Sequence, residues 1–563
     1  MANMSAERRV PGAQDAADFD VIVVGAGLAG LYTLYRLRAQ GMRVRVFEAG
    51  SGVGGTWYWN RYPGCRCDVE SMEYSYSFSE ELQQEWDWPE RYGTQAEILR
   101  YVEHVVERFD LMRDIELNTR ISAARFDETS NRWTVTTAAG KAVSAPFCVM
   151  ASGNLSTPRI PDFAGLERFR GNWYHTGMWP HAGVDFSAQR VATIGTGSSG
   201  IQMIPHIAQA AKHLHVFQRT ANFSVPAGNA RLDPEKMREH KSEYAQRRLA
   251  AYDTPFGISG YPPPLKSALE VTPEERQRTY EAKWAAGGNI SFLYAYKDLL
   301  VDLAANETVA EFVRQKIRGV VRDPAVAELL APRDHPIGTK RLCLDTNYYE
   351  TYNRSNVTLV DARRSPIEEI TPEGLRTKDA AYEFDAIVFA TGFDAMTGAL
   401  GEIDVRGKNG STLKDKWSSG PRTYLGLMVA GFPNLFLITG PGSPGVKSNM
   451  ALSIEQHCDW IADCLRYLQA RGLNQIDAKV DAEDAWTKHV TEVADATLYP
   501  LANSWYMGAN IPGKPRVFMP YVGGIPAYKK RCDEVAAKGY EGFVVSRAPG
   551  EQTEAVPLHD LHL

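Results

Sequence analysis

The chain has 563 residues, enough for about three or four domains at roughly 150 residues each. Lys and Arg total 62 against 68 Asp and Glu, a formal charge of −6, which argues against a nucleic-acid groove binder because such surfaces are basic. Apolar residues at 44% and charged residues at 23% match soluble globular proteins and supply ample core.

The 47 glycines, about 8% of the chain against a usual ~7%, matter through where they cluster. Residues 1–17 lack an apolar core segment, so no secretory signal is expected. The first cluster follows the apolar run Val21-Ile22-Val23-Val24 as Gly25-Ala26-Gly27-Leu28-Ala29-Gly30 and leads into a helical stretch reaching about Gln40. This is the G-x-G-x-x-G turn of a dinucleotide-binding βαβ unit. There Gly25, Gly27 and Gly30 permit a tight turn, close backbone approach to pyrophosphate and close helix packing. The next strand ends at Glu48, 23 residues after Gly25, where a carboxylate can accept from ribose hydroxyls.

Seven cysteines in so long a chain are not a disulfide framework; Cys65-x-Cys67 fits neither a zinc ribbon nor a redox C-x-x-C. Reduced thiols in a cytoplasmic protein are expected, with no metal site. A shorter turn, Ala151-Ser152-Gly153, follows the apolar run 147–150. The second long cluster, Gly195-Thr196-Gly197-Ser198-Ser199-Gly200, follows Val191-Ala192-Thr193-Ile194 and opens a helix through Ala211. Where the first motif has Glu48, this one has Gln218, Arg219 and Thr220, and a guanidinium there pairs with the 2′-phosphate of NADP instead of repelling it. His213 and His215 read as ordinary strand residues.

Residues 225–335 change character to charged, amphipathic helical sequence, with Thr272-Pro273-Glu274-Glu275 as N-cap, first-turn proline and capping-box acid. Ala390-Thr391-Gly392 ends another apolar run. The uncharged stretch Tyr424–Val446 is broken by Gly426, Gly431, Pro433, Asn434 and a GPGSPG run, and predicts two buried strands and a loop, not a membrane span. The tail 546–563 carries no targeting signal and is expected to be mobile.

The fold class is therefore α/β, with two doubly wound dinucleotide-binding domains and a helical insertion. Two such sites imply a hydride relay from NADPH to a flavin, with the Ala-Ser-Gly and Ala-Thr-Gly turns as crossings between domains. The residues themselves leave open whether electrons then pass to a disulfide, a partner protein or dioxygen, although Cys65-x-Cys67 has the wrong spacing for the first.

Two longer patterns narrow this. Phe169-Arg170-Gly171-Asn172-Trp173-Tyr174-His175-Thr176-Gly177-Met178-Trp179-Pro180 fits FxGxxxHxxxW-P. Gly54-Gly55-Thr56-Trp57, Tyr62-Pro63-Gly64 and Asp68 fit [AG]GxWxxxx[FY]P[GM]xxxD. Over residues 18–545 the chain resembles the type I Baeyer–Villiger monooxygenases, and WYWNRYPGCRCDVESMEYSYSF and PGKPRVFMPYVGG resemble the phenylacetone and steroid monooxygenase branch. The resemblance implies an FAD domain from 1–155 and 388–545, and an NADPH domain from 156–224 and 336–387 around the insertion 225–335. It implies oxidation of aryl, cyclic or steroid-like ketones to esters or lactones by dioxygen, through a flavin peroxide and a Criegee-type adduct, with sulfoxidation as a side activity. The alternative is a flavin monooxygenase acting on nitrogen or sulfur; a non-enzymatic redox-responsive binding module is a third reading.

The resemblance carries residue roles with it. Arg341, in Gly338-Thr339-Lys340-Arg341, matches the family's catalytic arginine, and Asp68 the carboxylate that orients it. Lys340 joins Arg219 and Thr220 at the 2′-phosphate. Gly55, Thr56, Trp57, Arg66, Asp68 and Tyr74 fall on the flavin side, and Trp505 covers the nicotinamide cofactor. His175 sits near the domain linker, outside catalysis. Gly445, Val446 and Lys447 match a substrate-pocket loop in which Lys447 puts a cation where an apolar side chain is expected: it points outward, or it alters the ketones accepted. Cys65 departs from the family pattern and is an oxidation liability beside a peroxide. The expected partners are a small ketone and dioxygen, with no nucleic acid or membrane, and the protein a monomer or small homo-oligomer.

Overall fold

The computed structural model describes residues 17–547. Two five-stranded parallel sheets organise it. The first runs Leu435–Leu437, Phe147–Met150, Val21–Val24, Val44–Phe47, Ile115–Glu116. The second runs Val357–Asp361, His213–Gln218, Arg190–Ile194, Ala386–Phe389, Asn172–His175. Strands such as Val21–Val24 are buried at every position because both faces of a parallel sheet are covered, which is why they read as unbroken apolar runs. The α/β reading with two doubly wound units is thus what the chain forms.

Each sheet is assembled from distant segments. Helix Met450–Ala470 returns to pack on Leu28–Ala39, where Tyr32 donates to Asp459 at 2.8 Å and Thr33 meets Cys458 at 3.3 Å. A four-stranded sheet, Asp404–Arg406 with the meander Ile121–Asp127, Arg132–Thr137, Ala142–Ala145, closes one side of the first unit. Between the halves of the second unit lie six helices: Pro234–Ser242, Tyr244–Tyr252, Pro273–Ala286, Asn289–Leu293, Leu303–Val320 and Pro324–Leu330. Thr272 caps its helix as expected, its hydroxyl accepting from the Glu275 amide at 3.2 Å, but the Glu275 carboxylate takes Lys266 at 2.6 Å instead of closing the box.

The two crossings run side by side as a hydrogen-bonded ribbon. The Arg159 amide donates to the Gly392 carbonyl at 2.8 Å, the Asp394 amide to Thr157 at 2.9 Å, and the Met396 amide to Asn154 at 2.8 Å. Thr391 ties this ribbon to His175, whose other ring nitrogen accepts from the Gly177 amide at 3.0 Å. Burial lowers the His175 pKa to about 4, so it stays neutral in this structural role.

Two boundaries and one strand differ from expectation. The second unit extends through Phe389, because Ala386–Phe389 pairs along its whole length with both neighbours; a division at 387 would split that strand. Likewise Ser224–Pro226 pairs with Cys343–Asp345, so the helical insertion begins after that strand and not at 225. Of the two strands expected in 424–446, only Leu435–Leu437 forms. Leu425 and Gly426 both take positive φ, and the Tyr424 amide bonds the Met428 carbonyl at 2.8 Å, closing a turn in place of a ladder. The expected tail after 546 lies, apart from Ser546 and Arg547, outside the described residues. Among the described residues no helix is long and apolar enough to cross a membrane.

Candidate active site

The two glycine motifs are built alike. Gly25 has φ +105° and a Cβ there would stand 2.5 Å from the Ala151 carbonyl oxygen; Gly195 has φ +110° and the same relation to Ala390. In both units the first glycine of the long motif therefore presses on the short Ala-x-Gly turn. Gly30 and Gly200 lie against the Gly25 and Gly195 carbonyls, leaving no room for a side chain. Gly197 is the contrast: nothing in the protein lies within 4 Å of where its Cβ would be. The helices beginning at Leu28 and Ser198 have glycine N-caps without a side-chain acceptor, so their first amides face outward as anion donors.

Glu48 stands where expected, buried at the end of its strand, and its two oxygens accept from the Ala26 and Gly50 amides at 2.8 and 2.7 Å. It braces the glycine turn while each oxygen keeps a second acceptor direction. Across the molecule Arg219 is exposed, the Thr220 carbonyl accepts from Thr196 at 3.0 Å, and Lys340 lies among Arg219, Arg363 and Asp334. Burial first, then the neighbouring guanidiniums, lowers the Lys340 pKa, with Asp334 opposing. Arg363, which bonds the Arg219 carbonyl at 3.2 Å and Asp334 at 2.7 Å, is a member of this cationic group that sequence reasoning missed.

The units meet at Arg341. Its guanidinium donates twice to Asp68, at 2.7 and 2.6 Å, and once to the Val446 carbonyl at 2.9 Å. Burial works against this charge, but Asp68 and then the Tyr506 hydroxyl outweigh it and hold the Arg341 pKa well above its ordinary value. Asn222 anchors the Arg341 carbonyl at 3.3 Å and reaches Cys343 at 3.1 Å, and Cys343 meets Ser198 at 3.1 Å. Trp57 donates to the Tyr74 hydroxyl at 3.3 Å with the rings edge-on, and Tyr74 lies close enough to Asp68 and Arg341 to feel both charges. Gly55 approaches Gly27 so closely that a Cβ would stand 2.9 Å from its Cα, and Thr56 is exposed at the start of the short helix Thr56–Trp59. Ser199 hydrogen bonds Tyr62, and Tyr62 donates to Gln202 at 2.8 Å, so the second helix is moored to the fingerprint of the first unit.

Arg66 does not join this group. Its guanidinium donates to Glu90 at 2.9 Å and the Tyr92 carbonyl at 3.0 Å, and its backbone is held by Gln202. Cys65 is buried and its thiol is pushed up to about 12, chiefly by burial, so it presents no thiolate to an oxidant. Trp505 packs at a tilt against Tyr506, with ring centroids 4.2 Å apart and an interplanar angle of 49°. In the loop Gly445–Lys447, Gly445 takes φ +37°, Val446 is buried, and Lys447 turns inward, its ammonium 4.2 and 4.6 Å from the ring centroids of Tyr499 and Tyr506. Tyr499 and Tyr506 were missed as site residues because aromatics in a C-terminal segment read as core.

Two nucleotide cradles flanking a carboxylate-clamped, half-buried arginine define a two-nucleotide oxidoreductase whose chemistry occurs between domains. Comparison with known proteins agrees. A flavin-binding monooxygenase-like family model matches residues 19–228. The chain is 42% identical over 536 residues (94% of this chain, 97% of the other) to a Baeyer–Villiger monooxygenase of Pseudooceanicola batsensis. It is 43% identical over 531 residues (94% and 99%) to an acetone monooxygenase of Gordonia sp.. A solved steroid monooxygenase bound to NADP superposes with a TM-score of 0.90 at 54% identity, covering 94% of this chain and 99% of the other. The chain belongs to the type I Baeyer–Villiger monooxygenase family. A phenazine N-monooxygenase of Lysobacter antibioticus is also 41% identical over 545 residues (95% and 98%), so whole-chain likeness does not by itself select carbon over nitrogen oxygenation.

Proposed function

We propose that this protein is an NADPH- and FAD-dependent monooxygenase that converts ketones to esters or lactones with dioxygen. The observation that carries the reading is Arg341, clamped by Asp68 and aimed between two dinucleotide cradles.

The residues fit both cofactors. Open space at Gly197, uncapped amides at both helix starts, and buried hydroxyl and carbonyl oxygens without partners at Ser504 and Asn510 are what a bound nucleotide would fill and satisfy. Gly25, Gly27, Gly30 and Glu48 would hold FAD, with Gly55, Thr56, Trp57 and Tyr74 on its reactive side. Gly195 to Gly200, Arg219, Thr220 and Lys340 would hold NADPH, with Arg363 added and Trp505 covering it. Arg66, committed to Glu90, serves the scaffold instead.

The chemistry supplied by the bound cofactors is hydride transfer from NADPH to FAD and activation of dioxygen at the reduced flavin. The protein's part is electrostatic. Arg341 keeps its proton at any working pH, and its fixed N–H groups stabilise the negative charge that develops on the substrate carbonyl oxygen during addition. Asp68 is a positioning residue: two hydrogen bonds fix the guanidinium plane, and the Val446 bond ties it to the substrate loop. The aromatic walls, Trp57, Tyr74, Tyr499 and Tyr506, exclude water that would divert dioxygen to hydrogen peroxide. All seven cysteines are buried and unpaired, which supports a cytoplasmic protein, and we read the chain as acting as a monomer or small homo-oligomer.

The test is a panel of aryl, small cyclic, macrocyclic and steroid ketones, with phenazine added, read by product mass. Ester or lactone formed in step with NADPH consumption is the expected result. Phenazine N-oxide with no ester from any ketone would replace this reading with nitrogen oxygenation.

A further inference from the structure

Lys447 is an unusual group beside Arg341. It is drawn inward over the rings of Tyr499 and Tyr506, which are 3% and 0% exposed, and among the described residues no carboxylate lies within ion-pair distance of it. The acid nearest in charge, Asp68, is already engaged by both nitrogens of Arg341. Arg341 and Lys447 hang on the same loop, since Val446 accepts from Arg341 at 2.9 Å and Lys447 follows it. Two cations and one anion, Arg341, Lys447 and Asp68, thus stand together beside the rings of Tyr499 and Tyr506. The Tyr506 hydroxyl faces the Arg341 guanidinium, which can only donate to it, so the phenol keeps its own hydrogen free for an acceptor. Burial and the neighbouring guanidinium both weaken the Lys447 charge, with Asp68 opposing, as befits an ammonium lacking a counter-ion.

We propose that Lys447 is a specificity-determining residue selecting ketones that carry a carboxylate, the carbonyl lying beside Arg341 and the carboxylate accepting from Lys447 Nζ and the Tyr506 hydroxyl. This rests on the monooxygenase reading above. A carboxylate supplies the missing anion and the acceptors for an ammonium and a phenol together. A neutral ketone of the same shape leaves the half-buried ammonium without a counter-ion and the phenol hydrogen without an acceptor, the condition under which a site discriminates against an analogue.

The test compares acetyl-terminated carboxylates of one to five methylenes with their own methyl esters, using the FAD-loaded wild type and Lys447→Met, which keeps the unbranched stem without the charge. For the best-fitting spacer the wild type should favour the acid in kcat/KM by more than about thirtyfold, the low end of what loss of one partner of a buried charge pair costs. Calorimetric binding to the NADP⁺-loaded protein should show the same order. Lys447→Met should bring both ratios to one or below. A wild type that prefers the methyl ester at every spacer overturns the inference without any variant, as does a ratio that Lys447→Met leaves within threefold. Esters formed with an unmoved ratio sink only this inference; no ester from any ketone sinks the monooxygenase reading with it.

Discussion

Replacing Arg341 by alanine removes three hydrogen bonds in one step and leaves the Asp68 carboxylate three-quarters enclosed without its cation. Two losses follow and they are separable. Stability should fall by about 3 kcal/mol, the lower end for breaking a buried pair, because both side chains keep about a quarter of their exposure. Ester formation should fall by at least ~10²–10³-fold, the loss of a preorganised donor at a developing oxyanion. Reduction of bound flavin by NADPH, followed anaerobically by bleaching, should persist because the hydride path does not need Arg341 to stabilise a carbonyl oxygen. The double variant with Asp68→Ala distinguishes the two losses. In denaturant melts it should cost less than the single variants summed, since no charge is orphaned, while its ester rate should match Arg341→Ala alone. Ester production within tenfold of wild type by Arg341→Ala would refute the catalytic role, and strictly additive stability losses would refute the clamp.

Other outcomes follow from the same geometry. Arg219→Ala or Lys340→Ala should raise the KM for NADPH about ten- to a hundredfold, the worth of a charge-assisted bond, and barely move that for NADH; parallel changes with both coenzymes would place these cations away from the 2′-phosphate. Gly197→Ala should fold, since its Cβ meets open space, yet weaken NADP⁺ binding, whereas Gly200→Ala should lose thermal stability by pressing on the Gly195 carbonyl; unaltered NADP⁺ affinity in Gly197→Ala would count against the cradle. Burial raises the Glu455 pKa from 4.5 to about 7, against hydrogen bonds from Ser77. A raised carboxyl pKa gives stability that is present below pH ~4.5 and lost as pH rises through about 7. Glu455→Gln should therefore gain about 3 kcal/mol relative to wild type across that window in denaturant melts; parallel pH profiles would contradict it.

What could be read from the sequence is what local chemistry dictates. Both glycine turns, the buried strands, the Thr272 cap and the crossings at Gly153 and Gly392 announce themselves because each needs particular residues within a short span. The clamp is different in kind: Asp68 and Arg341 are separated by 273 positions and Arg341 and Val446 by 105, so no spacing rule reaches them and only the family patterns placed them. Arg66 shows the same limit, since its place two residues from Asp68 says nothing about Glu90, which engages its side chain. The direction of Lys447, the contribution of Tyr506 and the turn at Leu425 were hidden for the same reason, being set by packing between segments. The fingerprints themselves explain the limit. Trp179 is buried against Tyr174 and Phe186, His175 braces the crossings, and neither touches the clamp. These residues keep two nucleotide units in register, so they mark an architecture shared by enzymes of differing substrate. Groups outside the two patterns are then the place to look for substrate choice, and beside Arg341 Lys447 is the cation that, among the described residues, has no carboxylate within ion-pair distance.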